Sequence, residues 1–293
     1  MQTFLKFVAL LAGALIVAAL VAWPAWQLVA VISVEPFHRV LQRVAMLIAL
    51  VGFYVLARRL ALADRAALGY GLPRPVFLRQ IAIGFLAGVA MMLPLIAMLY
   101  VLELRLPREG FEWGGSRLFG AIGSGLASGA AVALIEETFF RGAMQTAIAR
   151  ESGQRLAILL PSLLYASLHF LGGRLRIPPE QTTWTSGFDV LASLFERYAE
   201  PLALLDSFVA LVAVGILLGL VRARTGAIAA CLGLHAAWVG VISVLREASV
   251  RNPEAGAGWL VGSYDGVIGW GAVAWIAPVA VVLWWLGRSR QSS

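Results

Sequence analysis

The stretch Leu118–Thr146, LFGAIGSGLASGAAVALIEETFFRGAMQT, decides the architecture. Its first eighteen residues, Leu118–Ile135, carry no charge, and a run of that kind approaches the ~20 residues that a helix needs to cross the hydrocarbon of a bilayer. The run then meets Glu136, Glu137 and Arg141. Ionisable groups are expensive in lipid, so an apolar helix carrying three of them late in its span must give them partners or a task.

The rest of the chain extends this reading. With 293 residues, 60% hydrophobic and 13% charged, and a mean hydropathy of +0.85, there is too little polar surface for a soluble globule. The 30 Gly and 12 Pro lie among long Ala/Leu/Val runs, not in ~10-residue alternating segments, so the spans read as helices and not as barrel strands. The expected fold is all-α, a polytopic membrane helical bundle with about eight transmembrane helices, as a single integral membrane domain over 1–293. The segments are Phe4–Ile32, Val40–Ala57, Ile81–Leu102, Leu118–Thr146, Leu156–Leu171, Leu202–Val221, Ile228–Leu245 and Gly266–Gly287. The first begins like a signal peptide, but its apolar run continues through Pro24 to Ile32, too long for a cleavable segment.

Charge and cysteine content exclude further classes. Cys231 is the only cysteine, so there is no intrachain disulfide framework and no cysteine zinc cluster. The net charge of +7 sits in short loops, where topology explains it better than nucleic acid does. Eight spans put both termini on one side. That side holds thirteen basic residues, Arg288 and Arg290 among them, against ten on the other. The excess predicts cytoplasmic termini in a cell inner (plasma) membrane. In the loop Gly172–Glu200, Phe188, Leu191, Leu194, Phe195 and Tyr198 follow an N-cap at Ser186 at helical spacing. This predicts a short helix lying on the membrane face.

Glu137 and Arg141, four apart, share a helix face, while Glu136 is rotated by ~100° and left free. On these residues alone the cluster is either a buried ion pair that fixes packing or the start of a site. Of the three histidines, His38 lies beside Glu35 and Arg39 in a loop, His169 closes the fifth span and His235 lies inside the seventh. The fourth and fifth spans form a hairpin with its turn at Glu151-Ser152-Gly153-Gln154. Glu136 and His169 each lie ~24 Å from that turn by helical rise, which brings them to one depth if the helices are antiparallel neighbours.

Glu-Glu-x-x-x-Arg at 136–141, aromatic-x-x-x-His at Tyr165–His169 and a third motif around His235 resemble the CPBP intramembrane proteases. That group contains the type II CAAX prenyl endopeptidases and bacteriocin-processing or immunity proteins. The likeness spans about Gly120–Ser243 and includes Arg224-Thr225-Gly226-Ala227-Ile228 before the last motif. It implies an intramembrane glutamate-type endopeptidase with a membrane-associated peptide or protein substrate and no cofactor. Glu136 would be the general base, His169 would help hold and activate water, Glu137 and Arg141 would be the supporting pair, and His235 would stabilise the oxyanion. Tyr165 stands where the family usually has Phe. The family commonly has Asn four residues after the last His; here that position is Val239, and Trp238 offers the nearest replacement donor.

Three alternatives stand beside this. Zinc could take Glu136, His169 and His235 as ligands, although no HExxH helix is present and the charge on Arg141 disfavours a second cation. A non-catalytic immunity or scaffold protein would use the cluster for packing. A proton-coupled transporter would be expected to show paired half-repeats, which this chain lacks.

Overall fold

The computed structural model describes residues 1–288; Arg290, counted in the topology argument, lies outside the described residues. The helices are α1 (Gln2–Ala30), α2 (Phe37–Arg59), α3 (Arg74–Val101), α4 (Ser116–Glu137), α5 (Gln145–Ser152), α6 (Gln154–His169), α7 (Ser186–Ser193), α8 (Pro201–Thr225), α9 (Ala229–Ala248) and α10 (Trp270–Arg288). Each of the eight expected segments is helical. Among the described residues six helices are long and apolar enough to cross a membrane, with α4, the turn after it and α5 forming one 37-residue span, and Trp270–Trp285 is a shorter apolar helix. This is a multi-pass membrane protein. Against the all-α expectation there is one small departure, a ribbon in which β1 (Arg105–Pro107) pairs antiparallel with β2 (Ser249–Arg251).

The chain divides into two compact units, Met1–Ala63 with Ser167–Leu202, and Asp64–Ala166 with the chain from Ala203 onward. In the first, small residues bring helices together. Ala14, Ala18, Ala19 and Ala22 form the buried face of α1, and the backbone of Gly187 in α7 lies against the Ala19 carbonyl, where no Cβ would fit. Ala22, Phe37, Leu41 and Val190 make the core, with Trp23 and Trp26 packed on it. Both indoles are satisfied: Trp23 donates to the Thr182 carbonyl at 3.3 Å and Trp26 to that of Glu35 at 2.9 Å. The short helix expected in this loop exists, but it ends at Ser193 and its N-cap is Thr185. It also buries Ser186, Gly187, Val190 and Ser193, leaving Phe188, Phe195 and Tyr198 exposed. The aromatic stripe is therefore the outer face. For a helix bathed in lipid, large apolar groups gain nothing by turning inward, and close backbone approach needs small ones.

In the second unit α9 lies between α3 and α4, and glycine stripes set the spacing. A Cβ on Gly88 of α3 would stand 2.7 Å from that of Ala237, and one on Gly129 of α4 would stand 2.5 Å from the Ala236 carbonyl oxygen. Gly215 and Gly219 of α8 give α6 the same access at Ser162 and Ile158. Lipid tails are as apolar as leucine, so such close backbone packing is what holds membrane helices together. A Pro at the second position of α3 and the positive φ of Gly153 (83°) after α5 mark where helices start and stop.

Candidate active site

Between α4 and α5 the backbone leaves α-helical geometry and makes a π-helical turn, Thr138–Met144. It begins directly after Glu137 and contains Arg141. A π turn holds one extra residue, so it re-aims the side chains on either side, and such turns recur at functional sites. The chain between α2 and α3 supports it. Thr138 Oγ1 donates to the Leu134 carbonyl at 2.5 Å and accepts from the Tyr70 hydroxyl at 2.6 Å. Thr146 donates to the Ala67 carbonyl at 2.9 Å. Gly142 faces the Leu68 carbonyl so closely that a Cβ would lie 2.8 Å from its oxygen.

Around this turn five of the expected residues meet. Arg141, 1% exposed, donates from Nη1 to Glu137 Oε1 at 3.1 Å, and Glu137 is wholly buried. A second guanidinium nitrogen donates to the Gly215 carbonyl at 3.3 Å. The guanidinium lies 4.8 Å from the centroid of the Tyr165 ring, and Phe140 packs edge-on to the same ring at 5.5 Å. Arg141 is twelve residues before Gly153 and Tyr165 twelve after it, so the hairpin expected from the turn holds at this pair.

His235 of α9 completes the cluster. Its Nδ1 is 2.8 Å from Glu137 Oε1, its ring stands edge-on to Tyr165 at 6.1 Å, and its Nε2 is 3.8 Å from Glu136 Oε2. The chemistry of the neighbours assigns the ring. A carboxylate held by Arg141 only accepts, so Nδ1 must carry the hydrogen and Nε2 is left to face Glu136. Glu136 is the one member open to its surroundings, with 27% of its side chain exposed. Its Oε2, although buried, has no hydrogen-bond partner among the described residues, and the same is true of Glu137 Oε2.

Of the other expected residues, His169 is the last residue of α6 and belongs to the first compact unit. Trp238 is buried on α9, three residues beyond His235, and Val239 is half-buried. His38 sits in the first turn of α2. Among the described residues no group of three His, Cys, Asp or Glu side chains is spaced to hold a metal ion. Sequence reasoning did not include Gly215, whose carbonyl helps anchor Arg141. The signal was present in the Gly215-x-x-x-Gly219 spacing, which marks a close helix pair. Thr138 and Tyr70 carry no comparable signal.

An apolar cleft of about 340 Å³ runs along α9, lined by Ala237, Gly240, Val241 and Val244 together with Phe85 of α3 and Leu126 of α4. It begins two residues from His235.

Residues 119–241 match the family model described as Type II CAAX prenyl endopeptidase Rce1-like. Neither a curated protein nor a solved structure matches the chain. The matched segment holds Glu136, Glu137, Arg141, Tyr165, His169 and His235, and over it the chain is similar to the CAAX protease-like, or CPBP, family of membrane proteases.

Proposed function

We propose that the protein is an intramembrane glutamate-type endopeptidase in which Glu136 and His235 activate the attacking water. The observation that carries this reading is the unpartnered, buried Oε2 of Glu136 at 3.8 Å from His235 Nε2. Two acceptors at that separation suit a water that donates one hydrogen to each. A buried polar atom left without a bond is costly unless it has such a use.

In the proposed reaction the water gives a proton to Glu136 while its oxygen attacks the carbonyl carbon of the scissile peptide. The tetrahedral intermediate then breaks its C–N bond, and the proton on Glu136 passes to the leaving nitrogen. Glu137 holds His235 in one tautomer and Arg141 keeps Glu137 ionised, the orienting arrangement that hydrolases give to a histidine with a carboxylate behind it. The resemblance instead gives the water to Glu136 with His169 and the oxyanion to His235. The 3.8 Å between Glu136 Oε2 and His235 Nε2 supports a place for His235 beside the base, and the resemblance gives His169 its part in holding the water. Val239 leaves the oxyanion donor to other groups, with Trp238 the nearest on the same helix.

The apolar cleft beside His235 suits a substrate embedded in or tethered to the membrane, and no cofactor enters the scheme. The alternative of a non-catalytic immunity or scaffold protein of the same family is favoured by one observation, the valine at 239. The test compares membrane peptides from cells without the protein, with it, and with Glu136→Gln. The proposal expects one precursor that is cut only by the wild-type protein. Identical peptide inventories in all three would remove it in favour of the non-catalytic reading.

A further inference from the structure

We infer that the protein carries a second site, a pocket for a phosphate-bearing anion at the turn between α5 and α6. Three helices end there. A cavity of about 370 Å³ is lined by the polar side chains of Gln145, Thr146 and Arg150 before the turn, Gln154 after it, and Arg222 near the end of α8. Two of these are guanidinium groups and none is a carboxylate; Glu151, next in the chain, is not among the lining side chains.

Arg222 is positioned for a ligand. Its Nε donates to the Arg141 carbonyl at 3.2 Å, which fixes the plane of the group. One Nη reaches Thr146 Oγ1 only at 3.5 Å, and the other has no hydrogen-bond partner among the described residues. A guanidinium anchored at one edge and open at the other is pre-organised for the paired oxygens of a phosphate. Gln154 is the first residue of the 16-residue helix α6, so the positive end of that helix adds to the same field.

The place of the pocket names the class of ligand. Arg222 is three residues from the end of a membrane-crossing helix and Arg150 two from the end of another, which is the level of lipid headgroups. Basic pockets between membrane helices take anionic headgroups, and the volume suits a headgroup better than a bare ion. The shared chemistry is the phosphate group, carried by a phospholipid or free in solution. An occupant would also steady Arg222, and through the Arg141 carbonyl the π turn.

The test uses the full chain in phosphatidylcholine nanodiscs, with thermal midpoint and lipid binding as readouts, so it does not depend on peptide hydrolysis. One arm adds phosphatidylglycerol to the discs, the other adds inorganic phosphate to the buffer. The wild-type midpoint should rise, and the apparent Kd should weaken by about tenfold or more in Arg150→Gln/Arg222→Gln. Arg79→Gln, a basic residue of α3 outside the pocket, should respond like wild type. A response to the lipid alone assigns a headgroup; a response to phosphate with the same dependence on the two arginines assigns the free anion. If the double variant does not fold, Arg150→Gln alone should lose part of the response and Arg150→Lys should recover some of it. No wild-type response to either anion, or an equal response in the arginine variants, overturns the proposal.

Discussion

Two arginines of the second unit are buried almost completely, and their surroundings differ in kind. Arg105, 5% exposed, joins the β ribbon to the loop before α10. It donates from Nε to Ser249 Oγ at 2.7 Å, and from its other nitrogens to the carbonyls of Ser249 at 2.9 Å and Gly266 at 3.3 Å. All its hydrogen-bond acceptors are neutral. Burial pulls its pKa below the usual arginine value, and Asp265 nearby opposes that, but the group stays a cation. Arg141 instead holds a carboxylate, that carboxylate holds a histidine, and the histidine faces a second carboxylate. Closing a membrane bundle needs only the first arrangement. The second leaves two buried carboxylate oxygens with no hydrogen bond among the described residues, a costly arrangement for packing and a useful one for chemistry.

The largest effect expected from this contrast follows Glu137→Gln. It removes the counter-charge of a buried guanidinium, and breaking such a pair costs about 3–5 kcal/mol. Thermal unfolding in detergent should show a large loss, with any surviving folded protein retaining Glu136. A variant as stable as wild type would mean that Arg141 does not depend on Glu137 for its counter-charge. His235→Gln should act on rate more than on fold, with activity on a cleaved substrate down about a hundredfold. Stability loss with activity per folded molecule unchanged would return His235 to a packing role. His169→Gln, assayed alongside, should also lower the rate if His169 helps hold the water, as the resemblance implies; an unchanged rate would remove it from the site.

Arg105→Met should be milder, about 1–3 kcal/mol, because it leaves neutral acceptors unpaired and not a charge. Activity of the folded fraction should be unchanged; a selective loss of activity would erase the distinction between the two arginines. The smallest effects belong to glycines of α4. Gly129→Ala, with the Ala236 carbonyl 2.5 Å from the new methyl, should cost about 1–3 kcal/mol through overpacking. Gly123→Ala meets nothing within 4 Å and should be neutral or stabilising by up to about 1 kcal/mol. Equal midpoints for the pair would contradict the tight α4–α9 contact.

Much of this was legible in the sequence because hydropathy and helical spacing are local. The eight segments, the turn at Gly153 and the Glu137–Arg141 pair all follow from residues within a few turns of one another. The link between His235 and Glu137 joins positions 98 apart, and spacing alone does not distinguish a ring aimed at Glu137 from one aimed across the site at a substrate. The π turn was not legible either, since its stabilisation comes from the Leu68 and Tyr70 region and not from its own residue types. The short helix on the membrane face was legible from its apolar spacing, but the small residues Ser186, Gly187 and Ser193 that it buries were not singled out. The glycine stripes at 84–88, 125–129 and 215–219 did hold the information that places α9 between α3 and α4 and α8 beside α6.

The central claim is that Glu136 does chemistry while Glu137 holds structure. The most direct test takes the precursor identified in cells and presents it to purified protein in nanodiscs, wild type against Glu136→Gln, with the thermal midpoint of each recorded. The account predicts that Glu136→Gln unfolds at the wild-type temperature and cleaves slower by about 10²–10⁴-fold, because the amide keeps the shape but cannot take a proton. Cleavage at the wild-type rate, or a loss of cleavage matched by a loss of fold, would contradict it.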